Sequence, residues 1–141
     1  MSQLDTYLFF DGTCAEAMRF YEKTLGGTLE MMMTQAEAPA SACVPAGSPE
    51  RIMHASLALG DRRLMASDTM SGQPFEGMHG FSLSLSYPSV AAANEVFAAL
   101  SAGGKVTMPM SQTFWVESFG MLVDRFGTAW MINGGKPAQM G

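Results

Sequence analysis

The amino-acid sequence predicts an α+β fold built from two βαβββ modules in tandem. When residues 8–33 are compared with the residues 77 positions further along, seven are identical, and self-similarity at a fixed offset indicates a repeated structural unit. Each half also begins with a short strand pattern, continues with helical periodicity and ends in further strands. The length of 141 residues is that of a single domain (1–141), with module one at about 4–68, a linker at 69–79 and module two at about 80–134.

Local patterns indicate the elements of module one. The strand LDTYLFF precedes the helix CAEAMRFYEKTL, for which Thr13 is the predicted N-cap and Glu16 completes a capping box. Gly26 or Gly27 supplies the left-handed residue that ends this helix. The strand TLEMMMT follows, and the hairpin formed by IMHASLAL, GDRR and RLMASD completes the module.

Module two repeats this order. The strand FSLSLSY alternates apolar residues with serines, as is typical of a strand with one buried face. Ser89 is the predicted N-cap of the helix VAAANEVFAALSA, which ends at Gly103 and Gly104. The strand KVTMPM comes next, and SFGMLVD and TAWMIN form a hairpin with its turn at 125–127.

Methionines mark the corresponding strands of both modules. Strand alternation places Met31 and Met33 on one face, with Met108 and Met110 as their counterparts in module two. Thioethers suit Cu(I) as ligands, but methionine more commonly fills gaps in a core. These methionines are therefore predicted to be repeated core positions.

Composition and charge exclude several classes of protein. The net charge of −5 and the scattered basic residues argue against nucleic-acid binding. Cys14 and Cys43 form no Cys-x-x-Cys motif and are predicted to be free thiols. The N-terminus lacks a signal-peptide pattern, and the longest uncharged window, 78–94, is interrupted by serines and Pro88, which excludes a membrane span. A cytoplasmic protein is predicted.

Three stretches give the sequence a clear family resemblance. They are YLFFDGTCAEAMRFYEKTLGG, IMHASLALGDRRLMASD and TFWVESFGMLVDRFGTAWMIN. They resemble the PhnB-like subgroup of the vicinal oxygen chelate superfamily, which includes glyoxalase I, bleomycin-resistance proteins and extradiol dioxygenases. The resemblance extends over residues 4–133, and it implies a half-closed, eight-stranded glyoxalase-like cup with a helix behind each half, in a homodimer.

The sequence departs from the metal-binding pattern of that superfamily. Its enzymes hold a divalent metal with His and Glu side chains from the first and last strands of the two modules. The corresponding strands here offer neither residue type, and the chain has two histidines in total, whereas zinc or iron needs about three to four His, Cys or carboxylate ligands. No metal and no other cofactor is predicted, with a weakly bound divalent metal as the alternative.

His54 and Glu117 are the predicted catalytic candidates. On an alternating strand, His54 and Ser56 face away from Ala55 and Leu57, which are expected to meet the helix. His54 would then point into the cup, where an imidazole can act as a general base or bind a ligand; the alternative is a histidine with a structural hydrogen bond. Glu117 would act as a general acid at the cavity mouth, or it is a surface residue.

The remaining predicted site residues are ligand-binding positions around the cup. They comprise residues of the strand that opens each module, a hairpin serine, a strand-end acid and an aromatic wall: Tyr7, Ser82, Ser56, Asp68, Phe114, Trp115 and Trp130. For Asp68 the alternative is a solvated acid at a strand end, and for Trp130 it is core packing.

Three functions remain open from the sequence. The first is the binding of a small metabolite or an antibiotic-like molecule without a superfamily-type metal centre. The second is an enzyme of small-molecule metabolism that uses His54 or a weakly held divalent metal. The third is a structural or regulatory homodimer with a vestigial cavity. Residues 35–50, which contain three prolines, are predicted to be a lid or a disordered segment.

Overall fold

The computed structural model describes residues 2–37, 49–69 and 74–137. Its elements, in chain order, are β1 (Thr6–Phe10), α1 (Cys14–Leu25), β2 (Thr28–Thr34), β3 (Ile52–Leu59), β4 (Arg62–Asp68), β5 (Leu83–Tyr87), α2 (Val90–Ser101), β6 (Lys105–Ser111), β7 (Val116–Val123) and β8 (Ala129–Pro137). The order βαβββ occurs twice, so the predicted α+β fold of two modules is confirmed. Most of the predicted lid at 35–50 lies outside the described residues, as does Cys43.

The chain divides into two compact units, Met1–Glu76 and Gly77–Gly141, called unit one and unit two below. Each unit contains one four-stranded sheet and one helix. The strand orders are β1-β4-β3-β2 and β5-β8-β7-β6, and in both sheets the first-named pair is parallel while the other two pairs are antiparallel. The two units therefore share one topology.

In unit one, α1 packs against the sheet through β2, β3 and β4. Alternation along the strands directs one set of apolar side chains towards this helix. The residues of this core have relative exposures of 4% or less: Leu8, Phe10, Ala17, Met18, Tyr21, Ala55, Leu57, Leu64 and Ala66. The opposite side of each sheet, which faces away from its own helix, is called the distal face.

In unit two, α2 packs against all four strands of its sheet. Leu122, Trp130 and Ile132 are buried on the helix side. Gly134 allows the close approach of α2, because a Cβ atom at this position would lie 2.5 Å from the Cβ atom of Ala93. None of the helices in the described ranges combines the length and the apolar character needed to cross a membrane.

The two helices begin in different ways. The Ser89 hydroxyl accepts a hydrogen bond from the Ala92 amide at 3.1 Å, so the predicted N-cap of α2 is confirmed. The predicted capping box of α1 is wrong, because Thr13 makes no side-chain capping bond. The Asp68 carboxylate on β4 instead accepts a hydrogen bond from the Cys14 amide at 3.0 Å. At the other end of α1, Gly26 has a φ angle of 77°, as predicted for a left-handed C-cap.

Register shifts in β6 correct the predicted methionine repeat. Met31 pairs with Ser56 and Met108 pairs with Met121, so these two methionines do occupy equivalent strand positions. Another register shift follows between Met108 and Ser111, where Pro109 lacks the amide needed for regular pairing. Beyond it, the Met110 sulfur lies on the helix side, 2.7 Å from where a Cβ atom of Gly120 would stand. Met110 is therefore not the equivalent of Met33.

Candidate functional site

The distal face of unit one carries a group of aromatic, polar and methionine side chains. Strand register places them in two neighbouring rows across β1, β4, β3 and β2. One row is Tyr7, Met65, Ser56 and Met31, and the next row is Phe9, Ser67, His54 and Met33. Tyr7, Phe9 and Met31 are 40%, 54% and 45% exposed, which is high for large apolar side chains.

At the centre of this face, Tyr7 and His54 form a hydrogen-bonded pair. The Tyr7 hydroxyl lies 3.1 Å from His54 Nδ1, and the two rings are stacked with their centroids 5.7 Å apart. The Phe9 ring extends the aromatic surface, with its centroid 5.2 Å from that of Tyr7. Within the described ranges, the structure shows no hydrogen-bond partner for His54 Nε2. The pair therefore presents a ring surface beside a nitrogen that can donate or accept a proton.

Sequence reasoning identified Tyr7, His54 and Ser56 but missed the residues around them. The structure brings these three together on one face, with Ser56 only 8% exposed between Met31 and Met65. Phe9 was detectable, because strand alternation puts it on the same side as Tyr7. The contributions of Met31 and Met65 depend on cross-strand register, which a single strand does not reveal.

Asp68 was predicted as a ligand-binding residue, and the structure corrects this interpretation. It is 5% exposed, and its Oδ1 accepts hydrogen bonds from the amides of Gly12 and Cys14 at 2.8 and 3.0 Å. Its Oδ2 accepts a further bond from the Ile52 amide at 2.9 Å. The carboxylate thus joins β4 to the start of α1 and the start of β3, and it is neither a site residue nor a solvated acid.

Trp130 was predicted to line an aromatic wall, and this too is corrected. Its indole is 2% exposed and lies on the helix side of β8. Its Nε1 donates a hydrogen bond of 2.8 Å to Asp124 Oδ2, and Asp124 Oδ1 accepts bonds from the amides of Phe126 and Thr128. Trp130 is therefore a core residue that anchors the β7–β8 turn.

Phe114 and Trp115 form an aromatic cluster in unit two together with Phe119. The ring centroids of Phe114 and Trp115 are 4.8 Å apart, and those of Trp115 and Phe119 are 5.2 Å apart, both in edge-to-face geometry. Phe114 is 76% exposed, whereas Phe119 is 6% exposed because Trp115 packs on it. The two predicted residues therefore lie together, and Phe119, which shares the alternation of Trp115 in the sequence, completes the cluster.

Glu117 and Ser82 also lie in unit two. Glu117 Oε1 accepts a hydrogen bond of 2.7 Å from the Lys136 amide. The same side chain borders a cavity of about 420 Å³, lined by Gln112, Thr113, Val116, Glu117, Lys136 and Pro137. Ser82 is half-buried and immediately precedes β5. His54 and Glu117 thus belong to different units.

The metal-ligating and nucleophilic groups of the described chain are few. In residues 2–37, 49–69 and 74–137, no three His, Cys, Asp or Glu side chains are grouped so that they could hold a metal ion. Cys14 is a buried free thiol. Burial, and secondarily the Asp68 carboxylate, raises the pKa of the Cys14 thiol to about 12. Because the thiolate is the reactive form, Cys14 is not a nucleophile at neutral pH.

Comparison with known proteins identifies the relatives of the chain. The model of the family described as 3-demethylubiquinone-9 3-methyltransferase matches residues 2–133. Protein YjdN of Escherichia coli K12 is 37% identical over 140 residues, which cover 92% of this chain and 93% of YjdN. The crystal structure of protein PA1353 from Pseudomonas aeruginosa is 47% identical and superposes with a TM-score of 0.90, covering 96% of this chain and 98% of PA1353.

More distant structures share the fold. A putative 3-demethylubiquinone-9 3-methyltransferase, PhnB protein, from Bacillus cereus has a TM-score of 0.78 at 22% identity, covering 95% of this chain and 100% of its own. A glyoxylase/bleomycin resistance protein/dioxygenase domain from Frankia sp. has a TM-score of 0.68 at 15% identity, covering 96% of this chain and 93% of its own. The resemblance to the PhnB-like subgroup and the glyoxalase-like fold that it implied are confirmed.

Proposed function

This chain belongs to the 3-demethylubiquinone-9 3-methyltransferase, or PhnB-like, family, and from that premise we propose that it binds a small metabolite or an antibiotic-like molecule on the distal face of unit one. The observation that carries the proposal is the exposed, stacked pair of Tyr7 and His54. Ligand sites typically combine an apolar or aromatic surface with a few polar groups that fix orientation, and this face has both.

The side chains favour a planar ring with oxygen substituents as the ligand. Such a ring would stack on Tyr7 and Phe9, and its oxygen would hydrogen-bond to His54 Nε2. Met31 and Met65 would supply polarizable contacts at the ring edge. The description of the family names a demethylubiquinone, which is an oxygen-substituted ring, and this supports the class of ligand without extending to methyl transfer.

The proposal includes no superfamily-type metal centre. His54 Nδ1 is already paired with the Tyr7 hydroxyl, and the neighbouring Ser56, Ser67 and Met65 supply no charged ligand. Recognition would therefore depend on stacking and hydrogen bonding.

Binding of catechol and hydroquinone by calorimetry tests the proposal. We expect His54→Ala to weaken their binding by about 2- to 13-fold, because a net hydrogen bond is worth about 0.5–1.5 kcal/mol. Tyr7→Ala should weaken it at least as much, since it removes the stacking surface. The matched control is His79→Ala, which removes the other histidine, an exposed residue of unit two, and should leave the affinity unchanged. Equal effects of His54→Ala and His79→Ala would contradict the proposal.

Catalysis at the same pair is the second candidate function. The hydrogen bond between Tyr7 and His54 is of the kind that orients an imidazole for general-base work. An enzyme would lose turnover in His54→Gln while keeping most of its ligand affinity, because glutamine can still hydrogen-bond. A binding protein would lose affinity alone, so measurement of both quantities on one variant separates the two functions. A divalent-metal requirement would appear as activity lost to a chelator.

We further infer that the protein acts as a homodimer in the cytoplasm. The described chain exposes large apolar side chains outside the ligand face, including Leu4 at 87% and Phe114 at 76%. It also has sheet edges that a second copy would cover. The buried free thiol of Cys14 fits a reducing compartment. Sedimentation equilibrium at micromolar concentration should give twice the chain mass of 15.1 kDa, and a single-chain mass would contradict the inference.

A further inference from the structure

Three methionines stand side by side on the distal face of unit two. Met108 on β6 pairs directly with Met121 on β7, and Met121 pairs directly with Met131 on β8. Direct cross-strand partners share a face, with Cβ atoms about 4.5–5.5 Å apart. The row ends at Ser84 on β5, which pairs with Met131. Met121 is therefore the neighbour of both other methionines, and the three thioethers form one continuous group.

This row does not have the surroundings of core methionines. The core of unit two is on the other side of the sheet, where Leu122, Trp130 and Ile132 are buried against α2. Met108 is 43% exposed, and Met121 and Met131 are half-buried. Core filling, the role expected from the sequence, therefore does not account for their position.

We propose that Met108, Met121 and Met131 form a binding site for a soft monovalent cation, Cu(I), with Ag(I) as its analogue. Thioether sulfur is a soft ligand that selects Cu(I) over hard divalent cations. The three rotatable bonds of each methionine let sulfurs from adjacent strands turn towards one point above Met121. The exposure of Met108 gives the ion access to the row from one side.

Unit one provides the internal comparison. At the equivalent positions its row reads Met31, Ser56 and Met65, so a serine separates the two methionines. Strands two apart are separated by about 9–10 Å, which is twice the spacing of neighbouring strands. A single ion is therefore not offered three adjacent thioethers in unit one, and we expect one site for each chain.

The test is an anaerobic Cu(I) titration of the full chain in competition with a chromogenic Cu(I) chelator. All proteins carry Cys43→Ser, because a thiol outside the described residues would compete for the ion, while Cys14 is buried. We expect one Cu(I) and one Ag(I) for each chain, and no zinc bound by this row. Met121→Leu conserves side-chain volume and removes the central sulfur. It should weaken Cu(I) binding at least as much as the loss of an outer-shell partner does, about 10- to 100-fold.

Two further variants make the result decisive. Met108→Leu changes a 43% exposed side chain, so it leaves the core intact, and it should also weaken Cu(I) binding. Met65→Leu makes the same chemical change in unit one and should leave Cu(I) affinity unchanged. The proposal is overturned if the parent protein binds no Cu(I), or if Met121→Leu and Met108→Leu bind it as tightly as Met65→Leu.

Discussion

The distal faces of the two units have the same backbone pairing, but their aromatic and polar side chains lie on different strands. Tyr7 and Phe9 on β1 correspond to Ser84 and Ser86 on β5, because each pair faces the equivalent residues of its parallel neighbour. On the central antiparallel strands the polar residues are in unit one instead: His54 and Ser56 on β3 correspond to Phe119 and Met121 on β7.

This difference shows how one scaffold acquires two surfaces. In unit one the aromatic rings stand at the sheet edge and the polar groups at the centre. In unit two the serines are at the edge, and the aromatic and thioether groups are at the centre. Because the helix side must stay apolar in both units, the distal face is where a duplicated module is able to differentiate.

The units also differ in how their helices are held. In unit one, Asp68 ties β4 to α1 and β3. The equivalent position in unit two is Gly134, since Phe10 pairs with Asp68 as Tyr87 pairs with Gly134. The buried carboxylate of unit two is Asp124, which holds the β7–β8 turn and Trp130. Each unit thus contains a buried aspartate whose carboxylate accepts hydrogen bonds from at least three donors, at different places in the two units.

Removing these aspartates should give the largest effects on stability. Asp68→Ala leaves three amides without an acceptor; those of Cys14 and Ile52 are buried and that of Gly12 is partly buried. An unsatisfied buried amide costs about 1–3 kcal/mol, so we expect a loss of about 2 kcal/mol or more. Asp124→Ala should cost a similar amount in unit two. The control is Asp11→Ala, which removes an exposed ion pair with Arg51 and should cost less than about 1 kcal/mol. Urea unfolding measures all three, and equal losses for Asp68→Ala and Asp11→Ala would refute the structural role of Asp68.

Substitution of Gly134, where α2 approaches the sheet closely, should have an intermediate effect on stability. Gly134→Ala places a methyl group 2.5 Å from the Ala93 Cβ atom and 3.3 Å from the Val90 Cα atom, so the helix must shift. Overpacking of this kind costs about 1–3 kcal/mol. Gly120→Ala should cost less, because the two nearest atoms, Met110 Sδ at 2.7 Å and Phe97 Cε2 at 2.8 Å, belong to side chains that can rotate, and the nearest backbone atom, the Met108 oxygen, is 3.1 Å away. Thermal unfolding compares the two, and a smaller loss for Gly134→Ala would contradict the packing described.

Substitutions at the helix N-termini should change the free energy of unfolding least, but their effects should differ clearly between the two units. Ser89→Ala should lower the free energy of unfolding by about 1 kcal/mol, because the hydroxyl caps α2. Thr13→Ala should change it by less than about 0.5 kcal/mol, since Thr13 makes no side-chain capping bond. If both substitutions lower the free energy of unfolding equally, the described difference in capping between α1 and α2 is contradicted.

The sequence predicted the elements well because their signals are local. β2 and β3 have the predicted bounds, and Gly26 ends α1 as predicted, since alternation and glycine positions act over a few residues. The start of α1 was mispredicted because its capping acceptor, Asp68, is distant in sequence. Met110 was misplaced because a bulge near Pro109 changes which face the strand presents.

The candidate site was only partly predictable, for the same reason. His54 was identified from the alternation of β3 alone, but its hydrogen bond to Tyr7 requires β1 and β3 to be placed on either side of β4. Met108, Met121 and Met131 lie on three different strands, and the sequence of one strand does not reveal its register with the others. Trp130 has the composition of a ligand contact, and only its burial and its bond to Asp124 show otherwise.

The way in which α1 is held has a consequence for the order of folding. The acceptor for the Cys14 amide lies 54 residues further along the chain, whereas the cap of α2 lies 3 residues from its donor. Closing a long loop costs conformational entropy, and this slows the formation of contacts between distant residues. The start of α2 can therefore form early, whereas the start of α1 is completed only when β4 is in place. During synthesis on the ribosome, the start of α1 therefore cannot be completed until Asp68 has been made, whereas the start of α2 needs only its own first residues.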